Sequence, residues 1–325
     1  MPKHIMKLKR FNIRDWVLEL VLVALIIAFS LATPRFFTGS NLLNILRNIS
    51  FKGIIALGMT MVIISGEIDL SVGSMVGFAG VLTAFLTQTL SGIGLNLTVA
   101  VCIAMVVTLI VAFFIGRFIA FLITRFSIPS FIATLAFYLV LKGAALVISN
   151  GYPILGYPKW FSQLGAGYFG PIPITAIFFI VALIIMWYVM KATPFGRSIY
   201  AVGSNVEAAR LSGINVKKVK GIIFSLTSTF AAVAGILISS QINSGAPLTG
   251  GGWEFDVISA VIIGGASLAG GSGTIKGTLI GAIFLGILLN GMTLLNVSDY
   301  WKFIVRGGLI LIAVLMNTLI SRSNK

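Results

Sequence analysis

The chain has 325 residues, of which 58% are hydrophobic and 10% are charged, whereas a soluble globular domain carries about 25% charged residues. The net charge is +15, but the lysines and arginines stand in short groups between apolar runs and form no single basic face, so we expect no nucleic-acid partner. One histidine, His4, and one cysteine, Cys102, are too few for a His/Cys metal site or an internal disulfide, and we expect no metal and no cofactor.

The apolar runs predict an all-α integral membrane protein, a single polytopic bundle over residues 1–325. A helix needs about 20 residues to cross a hydrocarbon core of about 30 Å. About ten transmembrane helices are therefore predicted, near residues 16–33, 51–65, 70–90, 97–119, 129–149, 172–190, 219–240, 256–270, 277–295 and 301–320. Membrane lipid is the expected surrounding.

Residues 1–15 form a basic tail ahead of the first run. The tail resembles the start of a signal peptide, but the run Trp16–Ala32 is long, so we expect a retained first span with its tail in the cytoplasm. Ten spans then leave most lysines and arginines on the cytoplasmic side, in agreement with the positive-inside rule. The C-terminus returns to the cytoplasm.

Two apolar runs, Ile54–Ser65 and Val257–Leu268, are short and end at glycine-containing segments. Transporters use broken helices of this kind where the backbone lines a cavity. Glycines at four-residue spacing, Gly73 with Gly77 and Gly277 with Gly281, predict helices that approach closely.

The segment between the second and third spans contains Glu67 and Asp69. Asp69 or Ser71 could cap the third span, because a short side-chain oxygen accepts from exposed backbone N–H groups. Alternatively the segment flanks a translocation path, with Asp69 or Glu67 ordering a gate or pairing with Lys142. The two acids face different directions and have no nucleophile near them, so we expect no catalytic residue.

The longest cytoplasmic loop covers residues 191–218 and is predicted to contain a short helix. Asn205 is a plausible N-cap for a helix Val206–Leu211 that ends at Gly213. With Ala208 and Ala209 on one side and Arg210 free for a charged contact, this helix could dock into a groove of a soluble partner. A solvated loop is the alternative.

The glycine-rich stretch Gly264–Gly273 is no phosphate-binding loop. Lys276 is followed by Gly277 rather than by Ser or Thr, and no Gly-x-x-x-x-Gly-Lys motif is present. We expect no ATP binding by this chain itself.

Several short motifs resemble, in order and spacing, those of the permease subunits of bacterial ATP-binding-cassette sugar importers, the family of ribose, xylose, galactose and autoinducer-2 permeases. The ribose-type members are the most similar. The matching segments are Phe36–Phe37, Asn41–Leu46, Gly58–Thr60, Ile68–Ser74, Phe131–Leu135, Gly196–Arg197, Arg210–Val216 and Ser267–Gly271.

The resemblance implies a homodimer in the bacterial inner membrane that imports a monosaccharide, with ribose expected first. It also implies a cytoplasmic ATPase partner at the loop Pro194–Lys218 and a periplasmic sugar-binding protein on the outer face. The chain itself would be no enzyme. The residues implied to couple ATP-driven closure to the spans are Gly196, Arg197, Gly203, Asn205, Glu207, Ala208, Ala209, Arg210 and Gly213.

Polar side chains in the late spans, among them Asn243 and Asn290, could bond the hydroxyls of a passing sugar or simply bond neighbouring helices. With Asp69 and Ser71 they form the predicted translocation path or gate. The alternative function is a proton-coupled transporter of a small polar solute, with Glu67 or Asp69 as its proton site. A membrane-embedded enzyme has no support, because the acids are scattered.

Overall fold

The computed structural model describes residues 17–323 and is almost entirely helical. The predicted basic tail 1–15 and Lys325 lie outside the described residues. The elements are α1 Val17–Ala32, α2 Gly39–Ile64, α3 Val72–Gly92, α4 Leu97–Phe126, α5 Ser130–Ser149, α6 Ser162–Ala166, β1 Tyr168–Phe169, β2 Ile172–Pro173, α7 Ile174–Ala192, α8 Pro194–Ser204, α9 Val206–Leu211, α10 Val216–Ile242, α11 Trp253–Ile263, α12 Ile275–Leu294 and α13 Asp299–Ser323.

Seven of the described helices, α2, α3, α4, α5, α7, α10 and α12, are long and apolar enough to cross a membrane. This confirms a polytopic helical membrane protein. The other three predicted spans coincide with α1, α11 and α13, which do not meet the same test, so the count of ten stays a prediction. Helix α11 has 11 residues and is about 16 Å long, about half of the hydrocarbon core.

The short α11 confirms one of the two predicted broken spans, whereas the prediction for α2 was wrong. Helix α2 begins at Gly39 and has 26 residues, with the Thr38 hydroxyl accepting from the Asn41 N–H at 3.4 Å. Its first half carries polar residues that interrupt the apolar run, among them Asn41 and Lys52. These side chains find partners on distant helices, so the helix continues through them.

Helix α2 is the most buried of the seven long helices, and every residue from Ile54 to Ile64 is buried. It packs against α7, α10, α11 and α12, while α10 also packs against α3 and α4. Helices α4, α5 and α7 expose large apolar side chains such as Phe114, Leu139 and Ile184. Lipid tails can cover these faces.

Small residues allow the close packing of α12 on α11. A Cβ atom at Gly277 would overlap the carbonyl oxygen of Gly264, and one at Gly281 would overlap that of Ala260. The predicted role of these glycines in helix packing is confirmed. The segment between α5 and α7 contains α6 and a small antiparallel hairpin, in which Tyr168 pairs with Pro173.

Candidate functional site

A cavity of about 330 Å³ lies between α2, α11, α12 and α13, and we call it the central cavity. Charged, amide and aromatic side chains line it together with aliphatic ones. The polar and aromatic lining residues are Asn48, Phe51, Lys52, Trp253, Asp256, Asn290, Thr293, Asp299, Lys302 and Arg306.

Three charged side chains from three helices meet in the central cavity. The Asp256 carboxylate on α11 accepts from the Lys52 ammonium on α2 at 2.6 Å, and its other oxygen lies 2.8 Å from Arg306 Nε on α13. The Asp256 side chain is only 2% exposed, while Lys52 and Arg306 are 27% and 21% exposed. Two cations share one carboxylate, so this triad carries a net positive charge.

Aromatic and amide groups surround the triad. The Lys52 ammonium lies 5.6 Å from the centroid of the Trp253 ring, which also lies 6.3 Å from the Phe51 ring. Asn290 on α12 and Asn41 on α2 exchange amide hydrogen bonds of 2.8 and 3.1 Å. A ring face beside hydrogen-bonding groups suits a small polyhydroxylated solute.

The sequence prediction missed the triad, although a signal was present. Lys52, Asp256 and Arg306 are ionisable residues at or within apolar runs, and such residues usually face the bundle interior or a cavity. What the sequence could not show is their pairing, since Lys52 and Asp256 are 204 residues apart.

The loop between α2 and α3 is built around Asp69, outside both membrane-spanning helices. The completely buried Asp69 carboxylate accepts from the Ser71 N–H at 2.9 Å and from the Ser71 hydroxyl at 2.6 Å. The loop N–H groups of Ile68 and Leu70 donate to the hydroxyls of Ser130 and Thr134 on α5. Asp69 therefore orders the loop that leads into α3. The predicted cap does not form, because the N-cap residue is Ser71 and no side chain accepts from the first N–H groups of α3.

Burial raises the pKa of the Asp69 carboxyl to about 6, and the hydrogen bonds from Ser71 partly offset this rise. One carboxylate oxygen of Asp69 has no hydrogen-bond partner among the described residues. An acid held this way is less stable when charged than it is in water.

The predicted pairing with Lys142 was wrong. Glu67 forms its ion pair with Lys220 at the start of α10, and the Lys142 ammonium lies 5.9 Å from the Tyr138 ring centroid on its own helix. The loop contacts α5 at Ser130, and twelve further helical residues place Lys142 about 18 Å along that helix.

The four residues of the predicted path do not come together. Asn290 lines the central cavity, whereas Asp69 and Ser71 lie beyond the far end of α2, which is 26 residues or about 39 Å long. Asn243 ends α10 in a left-handed conformation with φ of 53° and is exposed outside the cavity lining. Asn290 alone shares a cavity with the charged triad.

The loop 191–218 folds into two short helices, α8 and α9. The Asn205 side chain accepts from the Ala208 N–H at 2.9 Å, and Gly213 follows α9 with φ of 83°. The bounds Val206–Leu211 are those predicted. Helix α8 was not predicted, although Thr193 followed by Pro194 is a typical helix start, and Thr193 accepts from the Gly196 N–H at 3.1 Å.

Charged groups on α9 pair within the helix. Arg210 donates from Nε to Glu207 at 3.0 Å, and this hydrogen bond lowers the pKa of the Glu207 carboxyl. Arg210 was expected to be free for an external contact, but here it is engaged by Glu207. Leu211 is 74% exposed, and Ala208 and Arg197 are also exposed. Ala209 lies on the buried side of α9.

Helix α8 rests directly on the end of α2 and on the loop that follows α11. A Cβ atom at Gly203 would overlap the carbonyl oxygen of Ile64, the last residue of α2, and would lie 2.7 Å from the Gly271 nitrogen. The Gly271 N–H itself donates to Ile64 at 2.8 Å, and the Tyr200 hydroxyl donates to the Gly273 carbonyl at 2.9 Å. Helix α8 thus contacts the end of α2 and the loop after α11 together.

The fold and cavity define a class, a multi-pass helical membrane protein with a polar cavity among its spans. Residues 41–314 match the family described as the permease component of the branched-chain amino acid transport system. The chain belongs to this family of transport permeases, so the resemblance to permeases is confirmed.

Sugar permeases of known bacteria match this chain over almost their whole length. The ribose import permease protein of Bacillus subtilis (strain 168) is 42% identical over 91% of this chain and 90% of its own. The ribose import permease protein of Escherichia coli (strain K12) is 41% identical, covering 95% and 96%. The xylose transport system permease protein of Haemophilus influenzae is 33% identical, covering 96% and 98%. No solved structure matches the chain.

Proposed function

We propose that the chain is the membrane-spanning subunit of an ATP-driven importer that carries a monosaccharide, ribose in the first place, from the periplasm to the cytoplasm. The observation that carries the proposal is the 42% identity to a ribose import permease over nine tenths of both chains. Trp253 and the amides of Asn48 and Asn290 in the central cavity offer the groups that a sugar needs.

The proposed complex contains a second copy of the chain, a cytoplasmic ATPase and a periplasmic sugar-binding protein. Helices α8 and α9 are the proposed contact with the ATPase, because both carry exposed residues and α8 rests on the end of α2 and on the loop after α11. Closure of the ATPase would press α8 against both, so the coupling is mechanical. The coupling residues are those expected from the resemblance, with Gly203 at the point of contact.

Uptake of labelled ribose into proteoliposomes tests the proposal. The chain is reconstituted alone, and in parallel with its proposed ATPase and sugar-binding protein partners, with ATP supplied on the ATPase side. Uptake that requires all components and ATP would support the importer. Uptake by the chain alone, driven by a proton gradient, would establish the alternative transporter instead.

Parallel uptake of xylose and of leucine identifies the solute. We expect ribose to be preferred, since the two ribose permeases are 41% and 42% identical to the chain and the xylose permease is 33% identical. ATP-dependent uptake of leucine without ribose uptake would keep the importer and reject the sugar.

A further inference from the structure

A second cavity, of about 190 Å³, lies between the last turns of α4 and the first turns of α10. We call it the basic cavity. It opens on the membrane face that carries α8 and α9, because α10 begins directly after them. Its lining residues are Arg117, Phe121, Thr124, Arg125, Lys217 and Gly221.

The three cations of the basic cavity stand without a counter-ion. Among residues 17–323, none of Arg117, Arg125 and Lys217 makes an ion pair or a side-chain hydrogen bond. Neither α4 nor α10 contains an acidic residue. Three neighbouring positive charges repel one another, so a bound anion would stabilise this arrangement.

Gly221 makes room for one of these cations. A Cβ atom at this position would overlap Arg117 Nη1, so the glycine lets the guanidinium lie across the surface of α10. Arg117, Phe121 and Arg125 follow at four-residue spacing and therefore form one stripe along α4. Arg117 and Arg125 thus come from α4, Lys217 comes from α10, and all three line the same cavity.

An aromatic surface continues from the cations toward the middle of the membrane. Phe121 is 48% exposed and stacks on Phe118, with ring centroids 6.3 Å apart, and Phe118 and Phe114 are 51% and 63% exposed. Side chains this apolar on the outside of a membrane protein contact acyl chains. Cations above an apolar stripe match the two parts of a phospholipid.

We propose that the basic cavity binds the phosphate of an anionic phospholipid, whose acyl chain lies along Phe114, Phe118 and Phe121. Each lysine or arginine near the surface contributes about 1 kcal/mol to the attraction of anionic lipid. A zwitterionic headgroup adds an ammonium beside three cations and is therefore disfavoured. A bound lipid would join α4 to the start of α10, the helix that follows the loop 191–218.

The test measures binding of phosphatidylglycerol and of phosphatidylcholine to the purified full chain in detergent by native mass spectrometry. The double variant Arg117→Gln/Arg125→Gln removes two cavity charges. The matched control Lys191→Gln/Lys276→Gln removes two exposed charges outside the cavity from the same membrane face. Melting temperatures in phosphatidylcholine, and the charge-preserving variant Arg117→Lys/Arg125→Lys, show whether a loss reflects misfolding.

We expect the preference for phosphatidylglycerol to fall about 30-fold in the cavity variant, which corresponds to two surface charges, and to stay within about threefold in the control. The lysine variant should keep most of the preference. Equal losses in the cavity variant and its control would overturn the site in favour of a general surface attraction. Equal binding of phosphatidylglycerol and phosphatidylcholine to the wild-type chain would overturn an anionic lipid as its ligand.

Discussion

Asp256 is the single carboxylate between Lys52 and Arg306, and it therefore connects α2, α11 and α13. Breaking a buried ion pair on one side leaves an unpaired charge, which costs more than the pair itself contributes. Because both cations are partly exposed, water screens a portion of this cost. Among the described side chains, the triad is the only ion-paired link between α13 and the other helices around the central cavity.

The variant Asp256→Asn should lower the free energy of unfolding by about 2–3 kcal/mol, because two cations lose their counter-ion. The control Asp299→Asn removes the acceptor of the ion pair with Lys302. The Asp299 side chain is 81% exposed, so this variant should lower the free energy of unfolding by less than about 1 kcal/mol. Thermal unfolding in detergent compares the two variants. Adding Lys52→Met to Asp256→Asn should restore part of the lost free energy of unfolding. Equal losses in Asp256→Asn and Asp299→Asn would contradict the role of the triad.

Asp69 makes the stability of the fold depend on pH. Its folded pKa of about 6 lies above the ordinary 3.8, so between these values the folded state binds more protons than the unfolded state. Asp69 therefore contributes most to the free energy of unfolding below about pH 4. About 3 kcal/mol of this contribution is lost as the pH rises through 6.

Asp69→Asn keeps an oxygen that can accept from Ser71 but removes the titration. We expect the stability difference between wild type and variant to change by about 2 kcal/mol between pH 4 and pH 7, as measured by unfolding at both pH values. ATP-driven uptake should survive in the variant. Loss of uptake together with the pH dependence would instead favour proton-coupled transport with Asp69 as the proton site.

Among the elements, the apolar runs could predict all seven long helices, and the capping residue Asn205 could predict α9 to the residue. The start of α2 could not be predicted, because its polar residues are satisfied by partners far along the chain. Asn41 bonds Asn290 across 249 residues, and no local pattern shows such a pair. The central cavity is built from such pairs, so the sequence could point to single polar residues such as Asn290 and Lys52 but not to their partners.

Helix α8 transmits force only if it stays in contact with Ile64 and Gly271. Gly203→Ala should separate them, because the added methyl group overlaps the Ile64 carbonyl oxygen. In the reconstituted complex we expect the ratio of ribose imported to ATP hydrolysed to fall about tenfold, because hydrolysis would continue while less of the ATPase movement reaches α2.

The matched control is Gly143→Ala in α5, where an added methyl group meets no atom within 4 Å and should raise helix stability by up to about 1 kcal/mol. Its coupling ratio should equal that of wild type. An unchanged ratio in a stably folded Gly203→Ala protein would remove α8 from the coupling path.

On the scale of the whole molecule, α2 lies between two functional regions. One of its ends contacts the loop that carries Asp69 and is covered by α8, and the central cavity lies along its polar first half. A movement of α8 therefore reaches the cavity through one continuous helix and through α11. The proposed importer requires α8 and α9 to lie on the cytoplasmic side and the junction between α12 and α13 to lie on the periplasmic side.

Single cysteines test this orientation, because Cys102 is the only cysteine of the sequence and Cys102→Ser gives a clean background. Ser212, just after α9, and Ser298, just before α13, are both exposed. Ser298→Cys in intact spheroplasts should react with a membrane-impermeant maleimide, whereas Ser212→Cys should react only after the membrane is opened, because the predicted ten spans would place the two positions on opposite faces. The reverse pattern would place α8 and α9 outside, where no ATPase could reach them, and would exclude the importer mechanism.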